Sequence, residues 1–189
     1  MRIGIDIDGV VSDSYPLWMR ELNGRFQKNI TTLERYELHL VYNIPPEEFT
    51  GFFVQNREML LGDPQPVRGA QAGIESILGW GHEIIYVTAR RPEEEDLTKA
   101  WLLKHGFPYE RVLFSNLGGK EKMALQWGMR LFIEDYLVNA SKISQRGVPV
   151  LLLDTTYNRG DLPSGVTRCR DWSEILQVIE AGGANRQRG

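Results

Sequence analysis

At 189 residues the chain fits one domain, or one domain with a sizeable insertion, against a prior of about 100 to 200 residues per domain. Its single cysteine, Cys169, excludes an internal disulfide framework and, with no leader-like segment at the start, suits a reducing cytoplasm. Twenty-two Lys and Arg against 25 Asp and Glu give 22 − 25 = −3, and the only basic tract is the short Arg186, Arg188 tail, which disfavours charge-driven binding to a nucleic-acid polymer. The longest apolar run, Val148 to Leu153, is far short of the roughly 20 residues a membrane span needs.

The chain opens on a β-branched run from Arg2 to Asp8 that breaks at Gly9, which predicts a buried first strand with carboxylates at its C-terminal end. Residues 14–66 then turn aromatic and charged. Tyr15, Trp18, Leu22 and Phe26 recur at helical spacing, as do Glu34, Leu38 and Tyr42, so this stretch reads as an inserted helical subdomain bounded by Pro45-Pro46 and by residues 62–66. From there strand-length runs (83–88, 111–115, 130–134, 148–154) alternate with helix-length segments (67–80, 92–105, 120–127, 138–146). Pro92 followed by three glutamates marks a helix start, and Gly81, Gly106, Gly128 and Gly147 each fall where a left-handed C-cap is wanted. A short strand near 166–169 and a helix over 172–181 finish the chain, leaving 182–189 as a frayed tail. Such alternation predicts an α/β fold: a doubly wound, three-layer parallel sheet made of residues 1–13 and 67–181, with a helical subdomain, 14–66, inserted after the first strand.

Open parallel sheets carry their sites beyond the carboxyl ends of the strands, so what each strand delivers there defines the chemistry. The first ends in Asp6 and Asp8, the next in Thr88 with Arg90 and Arg91, the third in Ser115 and Asn116, and the fourth in Glu134 and Asp135, with Lys120 and Lys122 opening the helix between the last two. Crowded carboxylates raise one another's pKa unless a cation sits among them, and an all-oxygen donor set suits Mg²⁺, which also accepts a phosphate oxygen. A threonine and a lysine are the residue types that hold the remaining phosphate oxygens. One aspartate of the Asp-x-Asp pair is placed to attack phosphorus while the other moves the proton. The four acids Asp6, Asp8, Glu134 and Asp135 account for −4 of the net −3, leaving −3 + 4 = +1 for everything else, so the acidity is concentrated where a cation would turn it into an anion-binding site.

In this order and spacing, Asp6-Ile7-Asp8-Gly9, Val87-Thr88, Lys120 and Ile133-Glu134-Asp135 resemble the four motifs of the haloacid-dehalogenase-like (HAD) phosphatase superfamily. Residues 62–69, Thr156-Tyr157-Asn158 and the segment from Asp171 to Leu176 resemble the 5'(3')-deoxyribonucleotidase branch. The resemblance implies a Rossmann-like HAD fold and a Mg²⁺-dependent phosphomonoesterase, a cytoplasmic 5'-nucleotidase-like hydrolase that acts through an aspartyl-phosphate. It implies Asp6 as nucleophile and Asp8 as general acid/base; Gly9, Thr88, Ala89 and Lys120 around the phosphate; and Asp6, Asp8, Glu134 and Asp135 at the metal, Asp8 through its backbone carbonyl. Lys122 competes with Lys120, whose distance to Glu134-Asp135 fits better. Glu134 stands where an aspartate is more usual, and Ala89-Arg90 where the branch often has a second hydroxyl. The inserted subdomain would be the small helical cap that closes over the site and selects the leaving group.

Tyr15, Trp18, Phe49, Phe52, Phe53 and Arg90 are the candidates for substrate contact, Tyr15, Trp18 and the phenylalanines for stacking on a nucleobase. The bland alternative is that the aromatics form the packed core of the subdomain and that Arg90 and Arg91 pair ions at the surface. Asp13 is a candidate for orienting the first loop, whereas His39, His82 and His105 lack metal spacing and read as structural or exposed. The expected partner is a small phosphorylated molecule, a nucleotide first and a sugar phosphate or other phospho-metabolite as the alternative, handled by a monomer or homodimer without nucleic acid or membrane. A receiver-type signalling domain gathers similar groups, but its order of acids, threonine and lysine differs.

Overall fold

The computed structural model of the chain describes residues 1–116 and 119–186. Alternation along the short apolar runs explains the layers. In β1 (Arg2–Ile5), Ile3 and Ile5 face one side; in β4 (Glu83–Thr88), Ile84 and Tyr86 face that same side while Ile85 and Val87 face the other. The same division holds in β6 (Leu131–Glu134), where Leu131 and Ile133 oppose Phe132, and in β7 (Val150–Leu153), where Leu151 and Leu153 oppose Val150 and Leu152. Strands apolar on both faces need cover on both. Helices α4 (Ala70–Gly79), α5 (Glu95–Lys104) and α8 (Trp172–Arg186) supply it on one side, and α6 (Lys120–Gln126) with α7 (Leu137–Ser144) on the other.

With β5 (Val112–Phe114) and β8 (Val166–Cys169), the sheet runs β5-β4-β1-β6-β7-β8, and every neighbouring pair is parallel. This is the doubly wound α/β architecture the alternation predicts. β1 lies at its centre, with Ile5 opposite Tyr86 on one side and Ile133 on the other. The chain moves outward from β1 in one direction through β4 and β5 and returns to its other side at β6, so the crevice at the strand ends opens beside Asp6, Thr88 and Glu134. All four expected C-cap glycines, Gly81, Gly106, Gly128 and Gly147, have positive φ.

The inserted segment, residues 14–64, holds α1 (Ser14–Phe26), α2 (Leu38–Tyr42) and α3 (Pro46–Gly62), and buries Leu22, Leu33, Leu38, Tyr42, Phe52 and Leu60 in a cluster of its own. Pro46 is the first residue of α3 rather than a boundary, a position where its missing N–H costs nothing. A ribbon of two-residue strands, β2 (Ser12–Asp13) and β3 (Gln65–Pro66), pairs antiparallel and draws the two ends of the segment together. Two further departures concern chain ends of elements: β1 stops at Ile5, leaving Asp6 to Asp8 in the following loop, and α8 continues to Arg186, so the expected tail is helical over 182–186 and residues 187–189 lie outside the described residues.

Candidate active site

The loop after β1 is a tight turn in which the carbonyl of Ile7 accepts from the amides of Val10, Val11 and Ser12. Gly9 turns it with φ 84°, and a Cβ there would stand 2.1 Å from Asp135 Oδ2 and 2.9 Å from the Tyr157 hydroxyl. Both the backbone angle and the space therefore require glycine. Its amide donates to the Ser12 carbonyl at 2.8 Å, and its bare Cα lets the loop approach Asp135.

Asp6 is buried, with Oδ1 accepting the Ile7 amide at 2.7 Å and Oδ2 paired to Lys120 Nζ at 2.6 Å. Lys120 enters from the first turn of α6, buried, and also reaches both oxygens of Glu134 at 3.2 and 3.3 Å. Burial alone would lower its pKa; the charges of Asp6 and Glu134 overcome that and raise it. Lys122, two residues on, is exposed. Glu134, last residue of β6, also accepts from Asn139 Nδ2 at 2.6 Å. Asp135 Oδ2 accepts from the Tyr157 hydroxyl at 2.5 Å and its backbone carbonyl from Asn158 Nδ2 at 2.7 Å, while Oδ1, buried, has no hydrogen-bond partner among the described residues.

Oxygens of Asp6, Glu134 and Asp135 all lie within 4.8 Å of one another. Burial first, then the Asp6 charge, pushes the pKa of Glu134 and of Asp135 well up. With all three carboxylates ionised, they and the one ammonium sum to −3 + 1 = −2, the charge a hard divalent cation would neutralise, and Asp135 Oδ1 is a ready ligand atom. The carboxylate of Asp8 stands apart from this group. It is held by Arg90 through Nε and Nη2 at 2.8 Å each and by the Ser14 hydroxyl at 2.6 Å. Burial opposes its charge, but Arg90 and Ser14 more than compensate and its pKa is lowered. The remaining terminal nitrogen of Arg90 donates to Thr98 Oγ1 at 3.2 Å. Arg90, a candidate for substrate contact, lines the cavity beside these acids while pairing with Asp8. Thr88, buried at the end of β4, accepts the Arg90 amide on its hydroxyl, and its carbonyl anchors Ser115.

A cavity of about 400 Å³ runs from Asp6 and Asp8 past Ala89 and Arg90 to a wall of Tyr15, Trp18, Phe49 and Phe53. Trp18 and Phe53 meet edge to face at 5.2 Å, and Phe49 packs on Phe53 at 4.6 Å. Phe52 is a correction: it turns into the interior of the insertion against Phe26. Asp13 is exposed and lines a different depression, with Arg68 and Asp171. Tyr36, without an assigned role in the sequence reading, and His39, read there as structural or exposed, are among the residues that line this cavity, and Tyr157 touches Asp135; of these three only Tyr157 lay in a motif that could have signalled it.

Along residues 1–185 the chain matches the model of the family described as 5' nucleotidase, deoxy (pyrimidine), cytosolic type C protein (NT5C). The chain belongs to this family. It is 32% identical over 182 residues to a nucleotidase of Clostridium acetobutylicum, an alignment covering 95% of this chain and 94% of that one. In fold it is similar to a conserved haloacid-dehalogenase-like protein of Agrobacterium tumefaciens (TM-score 0.68, 15% identity, 96% and 98% of the two chains) and to a HAD family hydrolase of Deinococcus radiodurans, solved with bound phosphate and sodium (TM-score 0.64, 15% identity, 96% of each). The protein is therefore a nucleotidase-family member, a phosphoric monoester hydrolase by class, with a fold shared with HAD hydrolases. No described helix is long and apolar enough to cross a membrane.

Proposed function

We propose that the protein is a cytoplasmic, Mg²⁺-dependent phosphatase that hydrolyses a (deoxy)nucleoside monophosphate through an aspartyl-phosphate on Asp6. The observation that carries this reading is the single cavity joining the Asp6–Asp8 pair to an aromatic wall, because it offers a phosphate end and a base-sized apolar end in one space. Asp6 has one oxygen fixed by an amide and the other by an ammonium, which orients it for attack on phosphorus. Its attack forms the Asp6–phosphorus bond and breaks the bond to the ester oxygen, which takes a proton from Asp8. In the second half Asp8 takes a proton from water, the water oxygen bonds to phosphorus, and the Asp6 carboxylate leaves. The Arg90 pair keeps Asp8 ionised, the form the second half needs, so donation in the first half requires Arg90 to loosen its hold once substrate enters.

Asp6, Glu134 and Asp135 would hold the cation, Asp8 adding its backbone carbonyl; when bound it neutralises the cluster and draws phosphate oxygens in. Thr88 and Lys120, with Ala89 at the cavity edge, would hold the remaining phosphate oxygens. Trp18 and Phe53, with Tyr15, would flank the base. The insertion, residues 14–66, acts as a cap over the core formed by 1–13 and 67–181, and the enzyme works as a monomer or homodimer. A hydrolysis panel of nucleoside monophosphates, sugar phosphates and phospho-amino acids, with and without EDTA, tests the reading. Nucleotides should lead, EDTA should abolish turnover, and Trp18→Ala should raise KM for nucleotides more than it lowers kcat. Preference for sugar phosphates with indifference to Trp18→Ala would contradict the substrate assignment.

A further inference from the structure

Asp135 is held from two directions by a single turn, the short 3₁₀ segment Thr156–Asn158 that follows β7. Asn158 Nδ2 donates to the Asp135 backbone carbonyl at 2.7 Å and to that of Leu153 at 2.7 Å, tying the loop after β6 to the end of β7. Tyr157, the residue before it, holds the side chain: its hydroxyl donates to Oδ2 at 2.5 Å. A carboxylate is free to rotate about its last bond, and an oxygen that accepts from Tyr157 is occupied, which leaves the other as the open donor. Here Oδ2 accepts from Tyr157, and Oδ1 is left buried and unpartnered on a carboxylate that belongs to the Asp6–Glu134–Asp135 group.

The tyrosine itself has little freedom. Its ring packs on Tyr15 at 4.8 Å and meets Tyr36 edge to face at 6.0 Å, while Gly9 leaves the gap that the hydroxyl and Oδ2 occupy. We propose that Tyr157 is a positioning residue for the cation site: by engaging Oδ2 it fixes the rotation of Asp135 and presents Oδ1 to the divalent ion. Partners that orient a ligand in this way typically carry 10- to 100-fold of metal affinity. The role rests on the cation site proposed above, with a test that separates the two.

Mn²⁺ binding to metal-free protein, followed by the loss of the free-ion EPR signal, gives a dissociation constant without turnover. Tyr157→Phe keeps the ring and its packing and removes one oxygen. The expected result is a Kd raised about 10- to 100-fold, with the melting temperature of the metal-free protein unchanged and Mn²⁺ dependence of turnover shifted by the same factor. Equal Mn²⁺ affinity in the wild type and Tyr157→Phe would remove the role of Tyr157 and leave the cation site standing. A weaker affinity accompanied by a drop in the metal-free melting temperature would also overturn it, since the hydroxyl would then be supporting the fold. A wild-type protein that takes up no Mn²⁺ would remove both.

Discussion

At the scale of single residues, the site is governed by how few charges are left uncompensated. Lys120 is the only ammonium among the buried acids of the described cluster, so Lys120→Met leaves carboxylates without their counter-charge. Removing one partner of a buried pair costs about 3 to 5 kcal/mol, to be seen as a lower denaturation midpoint of metal-free protein; Lys122→Met, at an exposed position, should leave the midpoint where it is. Asp8→Asn should lower kcat by about 100- to 10,000-fold, the usual worth of a positioned acid/base, while the protein keeps its fold. The places of Asp6, Asp8, Thr88, Lys120 and the Glu134-Asp135 pair were legible because each lies at or just past the end of a strand or at the start of a helix, positions that sequence periodicity locates to within a few residues. The Arg90–Asp8 pair and the Tyr157–Asp135 bond were not, because they join residues 82 and 22 positions apart and depend on side-chain rotation. Lys120 and Lys122 could not be separated firmly by chain position alone; the helix start buries one and exposes the other.

Among the elements, strand and helix order was readable to within a few residues, since two-sided apolar runs and glycine C-caps are local signals. The β2–β3 ribbon was illegible: two residues per strand, one of them Pro66, carry no periodicity, and the pairing is made by the chain closing on itself. The loop between β1 and that ribbon is the most demanding element. Gly9→Ala meets both a left-handed backbone angle, costing about 1 to 2 kcal/mol, and a Cβ 2.1 Å from Asp135 Oδ2. Its expected outcome is a lower melting temperature with activity almost lost. Trp172, on α8, braces the same loop by donating its indole N–H to the Val10 carbonyl at 2.9 Å and by filling the space above Gly73. Trp172→Ala should cost about 3 to 5 kcal/mol by denaturant titration, the range for emptying such a site.

For the whole molecule, the acid cluster couples stability to pH and to cation. Without a cation, burial and then the charge of Asp6 keep Asp135 protonated up to about 8, and Glu134 is raised in the same way. The folded state then binds more protons than the unfolded chain from the ordinary carboxylate range up to that value, so this stabilisation is complete at low pH and is lost as pH rises through the folded-state pKa. The melting temperature of metal-free protein should therefore fall between about pH 5 and pH 8 by this contribution, and saturating Mg²⁺ should restore it at the upper end, by about 2.7 kcal/mol at a hundred times Kd. A flat profile with no response to Mg²⁺ would mean the acids are not coupled to a cation. The central claim, a phosphatase working through Asp6, is tested most directly by acid-quenching the enzyme during turnover of a nucleoside monophosphate, reducing with borohydride and sequencing by mass spectrometry. An acyl phosphate on Asp6 is reduced to homoserine, so homoserine at position 6 should appear only in samples that received substrate and Mg²⁺. Steady hydrolysis with residue 6 unmodified, and undiminished in Asp6→Asn, would contradict it.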